Sequence, residues 1–284
     1  TYYLQPADGP QPEATTCAIT IDAEHDQHEP KRNLGANIYE SRFYRLEIDA
    51  VTGDAKLYDK QQQRTCFERA AVIADEERRG DYIFEMTGSG RTFPMVLQNI
   101  ETLDNNAVWC RVRVTGQLYG MPVRQTWTLY HHVADVDLEN EIDWAGERWI
   151  RTQQFFDCGD PDATVTYGVP YGSVTYPDSM GNLSKTSFDE IDPKYRERFR
   201  NARQWVDVGH EHEGLTIGCD HRLWEFEPGI VRGHMVRGAG FCAAVLRYPD
   251  GTYGNIAHPS AGTYRFRYRL RPRHARRSEA MSDR

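Results

Sequence analysis

The chain has 284 residues, of which 39% are hydrophobic, 12% aromatic and 27% charged, which is the composition of an ordinary soluble globular protein. Its formal net charge of -8 argues against a nucleic-acid partner, because such a partner would favour a basic surface. No apolar run approaches the length of a membrane span, so no membrane partner is expected. All-β units often exceed about 200 residues, so one large core is possible.

The six cysteines are scattered and show no CxxC spacing. Reduced thiols are therefore favoured, which predicts an intracellular, cytoplasmic protein. The first residue is Thr and no signal peptide is visible, an observation that says nothing about targeting if the chain is a fragment.

The first 36 residues are predicted to be the end of a preceding β-domain followed by a linker. Residues 1 to 4 resemble the end of a strand, and residues 5 to 35 are rich in Pro, Asp, Glu, Gln and His. His25 and His28 could belong to a metal-binding tract or to a solvated loop, and we favour the loop.

Residues 37 to 60 predict a β-hairpin, because two alternating runs flank Thr52-Gly53-Asp54 and glycine adopts positive φ at little cost. Residues 65 to 79 could form a short helix or an extended segment. Residues 80 to 84 and 95 to 100 are predicted to be strands that lead into the centre of the chain.

Three consecutive antiparallel strands are predicted between residues 108 and 143. Apolar and polar residues alternate with a period of two in each run, and Gly-Met-Pro and other turn residues separate the runs. One face of this meander should be buried while the other remains in water.

Residues 148 to 157 predict another strand. Residues 165 to 172 are apolar and aromatic but contain two Gly and a Pro, a pattern that favours a rim loop presenting Tyr167 and Tyr171 to a ligand over a central strand. A short helix is predicted around residues 193 to 202, because Pro is tolerated at a helix start.

The last third is again rich in predicted strands, at residues 204 to 208, 214 to 220, 240 to 246 and 264 to 271. The last of these strands has one fully basic face, formed by four arginines, which should pair with acidic side chains on an adjacent strand. The whole pattern predicts an all-β fold, a large two-sheet antiparallel supersandwich with short helices only. Residues 37 to 272 should form this domain, and residues 273 to 284 a frayed tail or the start of a further segment.

Few stretches carry recognisable chemistry. No nucleophile elbow, phosphate-binding loop, dinucleotide fingerprint or zinc-finger spacing occurs. His210 and His212 form an HxH pair that could bind a divalent metal or lie in an exposed hairpin loop. Trp205 and Asp207 place an aromatic ring beside an acid, a combination that suits a sugar's C–H face and hydroxyl groups.

Several stretches together resemble the C-terminal β-sandwich region of glycoside hydrolase family 38, the α-mannosidases. No single motif is specific, but their order and spacing span residues 37 to 272. The stretches that carry the resemblance are Asn37-Ile38-Tyr39 with Thr52-Gly53 and Asp59-Lys60, Glu141-Ile142-Asp143-Trp144, Tyr167 to Gly172, Trp205-Val206-Asp207 with Gly214 to Ile217, Leu246 to Pro249, and Gly262 to Pro272.

The resemblance implies a fold like that of galactose mutarotase-like domains and a mannoside-type glycan as ligand. The sequence departs from the family in lacking the Arg that often follows the segment matched by Tyr167 to Gly172. It also contains nothing that matches the family's catalytic barrel, so zinc and the catalytic residues are expected in that upstream domain and no cofactor in this chain. The implied role is to scaffold the barrel and line its sugar cleft.

We therefore predict that Tyr167, Tyr171, Trp205 and Asp207 border one concave sugar-contacting surface, with the loop from His210 to Asp220 at its edge. The alternative is that all four residues simply pack the sandwich. A second hypothesis is a self-sufficient mutarotase-like epimerase, in which His210, His212, His221 or His234 and a carboxylate would transfer protons. A third is a non-catalytic carbohydrate- or protein-binding module.

Overall fold

A computed structural model describes residues 37–77, 88–147, 150–177, 199–221, 223–238 and 259–273. Throughout these ranges the chain forms strands and turns and no helix, which confirms the prediction of an all-β fold. Among the same residues there is consequently no helix of the length and apolar character that crossing a bilayer would require.

The strands are numbered in chain order. The first nine are β1 Ile38–Glu40, β2 Tyr44–Ile48, β3 Ala55–Asp59, β4 Arg64–Glu77, β5 Gly88–Pro94, β6 Val96–Asn105, β7 Trp109–Leu118, β8 Met121–Tyr130 and β9 Val136–Trp144. The remainder are β10 Ile150–Asp157, β11 Thr164–Val169, β12 Gly172–Tyr176, β13 Phe199–Asn201, β14 Trp205–Gly209, β15 Gly214–Cys219, β16 Leu223–Glu227, β17 Ile230–Arg237 and β18 Gly262–Arg273.

These strands build two nine-stranded sheets, and neighbouring strands pair antiparallel throughout the described residues. The first sheet has the order β1-β2-β3-β4-β10-β17-β16-β13, with β5 also paired to β4. The second sheet has the order β12-β11-β14-β15-β18-β9-β8-β7-β6. The predicted meander, β7 to β9, thus lies within the second sheet and the predicted hairpin, β2 and β3, within the first.

The core lies between the two sheets. Alternation along β7, β8 and β9 sends every second side chain inward, where aliphatic and aromatic residues of both sheets form one continuous cluster. The largest fully buried rings come from both sheets: Trp127, Trp144 and Tyr268 from the second, and Trp224, Tyr44, Phe67, Phe156 and Phe226 from the first. Burial of this cluster is the main driving force for packing one sheet on the other.

One polar group of side chains interrupts this core. The amide oxygen of Gln154, on the first sheet, accepts hydrogen bonds from Asn140 at 2.8 Å and from Gln125 at 3.2 Å, both on the second sheet. Gln125 also donates to the Asn140 amide oxygen at 3.2 Å. All three amides are buried, so these bonds satisfy groups that would otherwise be costly to remove from water.

The outer face of the second sheet, defined as the face that carries the arginines of β18, is charged. Four of these arginines pair with carboxylates on β9 or on the residue just before it, which confirms the predicted pairing of the basic strand face. The pairs, called here the arginine ladder, are Arg265 with Glu141, Arg267 with Glu139, Arg269 with Asp137, and Arg271 with Asp135.

The remaining sequence predictions are decided by the structure, corrected by it, or lie outside the described residues. Residues 65 to 77 adopt the extended alternative, as part of β4. The helix predicted around residues 193 to 202 is wrong at residues 199–201, which form β13 against β16, because pairing with a neighbouring strand overrides weak helix propensity. Residues 193–198, the predicted strands at 80–84 and 240–246, and the segments 1–36 and 274–284 lie outside the described residues.

Candidate functional site

The four predicted sugar-contacting residues lie on two neighbouring strands and the turn beside them. Tyr167 is on β11, Trp205 and Asp207 are on β14, and Tyr171 is in the turn between β11 and β12. The structure thus brings their backbones together, but it directs their side chains to different places. Two of them are accessible to a ligand and two are buried.

Tyr171 is the most exposed of the four, and its side chain is fully accessible to solvent. It follows Pro170 and has a φ of 68°, the left-handed conformation that the third residue of a type II turn requires. Glycine or asparagine normally occupies such a position, and a bulky residue there is strained by roughly 1 kcal/mol. A fully exposed aromatic ring in a strained position is a candidate contact residue, because such strain is concentrated at functional sites.

Trp205 lies on the outer face of the second sheet and is partly exposed. Gly168 of the neighbouring strand β11 accommodates its indole ring, because a Cβ atom there would lie 2.9 Å from the indole nitrogen. The residue opposite Trp205 on the other neighbouring strand, β15, is Gly218. Part of the ring surface remains accessible to a ligand.

Tyr167 is buried, so the prediction that it lies in a rim loop is wrong. Its ring packs against Phe226 of the first sheet, with ring centroids 5.3 Å apart. The glycine that suggested a loop has a different purpose. A Cβ on Gly168 would lie 2.5 Å from the carbonyl oxygen of Arg203, so this strand position needs glycine for a close backbone approach. Only Pro170 and Tyr171 of the segment form the turn.

Asp207 is also buried and forms an ion pair with Arg273, the last residue of β18. The guanidinium binds both carboxylate oxygens, at 3.0 Å and 2.9 Å, and the hydroxyl group of Thr216 donates to the same carboxylate at 2.8 Å. Both charged side chains are only 3–4% exposed. A carboxylate held in this way stabilises the packing of β14 against the end of β18. It is not available to accept a hydrogen bond from a sugar hydroxyl.

Arg273 also holds the loop between β14 and β15. Its guanidinium donates to the carbonyl oxygens of His210 and Glu211, each at 2.8 Å. No local pattern indicates this role, because Arg273 is one of many arginines near the end of the sequence and falls at the start of the predicted tail. Its burial and its partner more than 60 residues away become visible only in the folded structure.

The HxH pair lies in this loop and carries no metal-binding geometry. His212 is exposed, and the imidazole of His210 is 2.6 Å from the Asp160 carboxylate, a bond that lowers the pKa of Asp160. Among the described residues, no group of three or more His, Cys, Asp or Glu side chains could hold a metal ion. The exposed-hairpin interpretation of this stretch therefore agrees with the structure.

Sequence reasoning missed a buried charged network on the face of the first sheet that points away from the core. Arg151 on β10 binds Asp75 at 3.0 Å and lies 3.5 Å from Glu225 on β16. Gln153 contacts both Glu225, at 3.2 Å, and the imidazole of His234, at 2.9 Å. The residues are dispersed in sequence and follow no motif, so only the strand order β4-β10-β17-β16 brings them together.

The ionisation of this network argues against proton transfer. Burial alone would raise the pKa of Glu225, but the neighbouring His234 and the charges of Arg151 and Arg232 lower it to about 2. Burial, assisted by the charge of Arg151, lowers the pKa of His234 to about 4. General acid–base catalysis at neutral pH needs groups with a pKa near 7, and neither side chain meets this requirement.

Comparison with known proteins assigns the family. The sequence matches the glycosyl hydrolases family 38 C-terminal domain over residues 39–223, which is more than half of the chain. The chain belongs to this family. The resemblance noted in the sequence is thereby confirmed, and the protein contains the C-terminal domain of a glycoside hydrolase. No curated protein matches the chain.

Solved structures support the same fold at low sequence identity. An α-mannosidase from Enterococcus faecalis V583 superposes with a TM-score of 0.64 and 18% identity, covering 86% of this chain and 30% of that one. A family 38 protein from Enterococcus faecalis superposes with a TM-score of 0.63 and 17% identity, covering 86% of this chain and 31% of that one. An α-N-acetylgalactosaminidase from Bifidobacterium bifidum superposes with a TM-score of 0.50 and 14% identity, covering 86% of this chain and 37% of that one. The chain therefore spans about a third of the length of these structures.

Proposed function

We propose that this chain is the non-catalytic C-terminal β-sandwich of an α-mannosidase-like glycoside hydrolase, in which it scaffolds the catalytic domain and lines the sugar cleft. The family match over residues 39–223 carries this proposal. The coverage supports it, because the chain aligns with only 30% of an α-mannosidase of the same fold and so corresponds to one part of a larger enzyme. Its partners would be a mannoside-type glycan and the catalytic domain of the same polypeptide.

The physical chemistry of the described residues agrees with a non-catalytic role. Glycoside hydrolysis needs two carboxyl groups placed across the sugar, one of which must carry a proton near neutral pH. The buried acids Glu225 and Asp207 are instead bound to arginines. The family resemblance places the zinc ligands in the catalytic domain.

The test compares this chain with a polypeptide that joins it to its catalytic domain. We expect the purified chain to leave an aryl α-mannoside intact, because the family resemblance places the nucleophile and the general acid in the catalytic domain, which must hold them in position. The longer polypeptide should hydrolyse the same substrate. Hydrolysis by the chain alone would overturn the proposed division of labour, and an inactive longer polypeptide would overturn the assignment to α-mannosidases.

Within this function we propose that Tyr171 and Trp205 contact the sugar, while Tyr167 and Asp207 support them from the core. Replacing Tyr171 by Ala should leave stability near that of the wild type, because the side chain is fully exposed, and should weaken sugar binding or lower turnover in the longer enzyme. Tyr119→Ala is the matched control, since Tyr119 is another exposed hairpin tyrosine with positive φ. Equal binding by the wild type and both variants would refute the role of Tyr171.

A further inference from the structure

A groove runs across the strands on the outer face of the second sheet. Its volume is about 630 Å³, which lies within the usual range for ligand-binding pockets. The floor is low where side chains are short, at Gly218, Thr126 and Thr128, and long charged side chains of the arginine ladder form its walls. We call this feature the transverse groove.

Five of the residues that line the groove belong to one continuous row of paired residues, and Trp205 is the next member of this row. Successive strand registers place one side chain of each strand opposite the next, beginning at Trp205 on β14 and ending on β7. The row is Trp205, Gly218, Arg269, Asp137, Thr128 and Arg111. With strands about 4.8 Å apart, these six positions span roughly 24 Å, enough for a chain of several sugar units laid across the sheet.

Aromatic rings stand near both ends of the row. At the near end, Trp205 is the residue opposite Gly218 on β14, and Gly218 lines the groove. At the far end, the guanidinium of Arg111 lies 5.4 Å from the centroid of the Trp109 ring, and Trp109 packs edge to face against Tyr130. Rings of this kind combine an apolar face with a polar edge, which suits the mixed surface of a sugar.

The charges of the groove are balanced within the protein. Arg269 binds Asp137 through two bonds of 2.8 Å, Arg267 binds Glu139 at 2.8 Å, and Arg111 binds Asp104. A phosphate or a polyanion would find no uncompensated positive charge among these pairs. The guanidinium groups nevertheless have further N–H donors, the carboxylates have further lone pairs, and the threonine hydroxyls can donate and accept.

We propose that the transverse groove binds a neutral oligosaccharide, which lies across the strands with one sugar ring against Trp205. The choice of a sugar over another neutral polar ligand rests on the proposed function. Folding stability does not account for the arrangement, because ion pairs as exposed as Arg267 with Glu139 contribute only about 0–1 kcal/mol. The threonine hydroxyls and the paired charges of the groove offer both donors and acceptors, which is what an array of sugar hydroxyls requires.

The first test blocks the floor of the groove. Gly218→Leu places a bulky side chain next to Trp205, while Gly218→Ala is the control, because its Cβ would meet its neighbours at an ordinary 3.7–3.9 Å. Calorimetric titration with mannotetraose should show binding by the wild type and by the Ala variant. The Leu variant should bind at least about tenfold more weakly at an unchanged melting temperature, a loss equivalent to about 1.4 kcal/mol.

The second test uses two arginines of the same strand. Arg269 and Arg265 each pair with an acid on β9, but only Arg269 lines the groove. Arg269→Ala should weaken binding of the same oligosaccharide about tenfold, whereas Arg265→Ala should leave it unchanged. The affinity of the wild type should vary little with salt concentration, because the ligand carries no charge.

Several results would overturn the proposal. These are the absence of binding to mannotetraose and to every neutral glycan on an array, equal affinities in all four variants, or salt-sensitive binding of a sulfated oligosaccharide alone. The aryl α-mannoside assay on the longer polypeptide remains a separate readout. The longer polypeptide could be inactive while its sandwich still binds a neutral glycan in a Gly218-dependent way. This result would refute the proposed function but support the transverse groove as a glycan-binding site.

Discussion

At the scale of single residues, burial and backbone conformation decide which of the four predicted site residues a ligand can reach, and their chemical type does not. Tyr171 and Tyr167 are four positions apart and chemically identical, yet one is fully exposed and the other is in the core. The sequence predicted that both would be exposed, because a glycine and a proline near an aromatic residue usually indicate a loop. Only the backbone of Arg203, which comes from far along the chain, shows why Gly168 belongs to a strand.

The strain at Tyr171 leads to a prediction about stability. Replacing Tyr171 by Gly should raise the free energy of unfolding by up to about 1 kcal/mol, because glycine adopts a φ of 68° without steric cost, although it also gains entropy in the unfolded chain. Tyr171→Ala removes the ring and keeps the strain, so it should not stabilise the protein. Urea unfolding of both variants measures the difference, and a Gly variant that is about 0.5–1 kcal/mol less stable than the Ala variant would show that the turn is not strained.

At the scale of elements, β18 carries two kinds of arginine. The first four alternate along the exposed ladder, and the sequence alone predicted their pairing, because alternation places all four on one face beside an acidic strand. Arg273 continues the same alternation but is buried against Asp207. Local pattern cannot distinguish these cases, since burial depends on the loop between β14 and β15 that covers the end of the strand.

This difference predicts unequal costs for two substitutions in one strand. Arg273→Ala leaves the Asp207 carboxylate buried without its main partner and should cost roughly 3–5 kcal/mol of unfolding free energy. Arg267→Ala removes an exposed pair and should cost less than about 1 kcal/mol. Urea titrations of both variants give the comparison. A similar cost for the two would mean that the Asp207 pair is better solvated than its burial indicates.

At the scale of the whole molecule, the sequence predicted the all-β class and most strands, because each strand is encoded by its own local alternation. The buried network of the first sheet could not be predicted in the same way. Strand β10 is buried on both faces yet contains Arg151, Gln153 and Gln154, polar residues that normally indicate an exposed face. Their partners come from other strands, so the burial of β10 follows from sheet order and not from its own residues.

This network predicts how stability depends on pH. His234 has an ordinary pKa of 6.5 when unfolded and about 4 when folded, so between these values the unfolded chain binds a proton that the folded chain does not. Stability should therefore fall by roughly 3 kcal/mol as the pH drops from 6.5 to 4. The pKa of Glu225, lowered from 4.5 to about 2, adds a further loss below pH 4.5.

Thermal or urea unfolding across this range measures the slope. His234→Gln should flatten it between pH 6.5 and 4, while His132→Gln, which alters an exposed imidazole, should leave it as in the wild type. A wild-type protein of constant stability over this interval would contradict the burial of a neutral imidazole.

The three amides between the sheets have a consequence for the geometry of the molecule. Apolar contacts are non-directional and would tolerate a small slide of one sheet over the other, whereas the bonds from Gln125 and Asn140 to Gln154 exist at a single offset. Any slide would leave buried amides unbonded at about 1–3 kcal/mol each. The two sheets are therefore held at one relative position. A protein that binds the first sheet would always lie at the same distance and angle from the outer face of the second sheet.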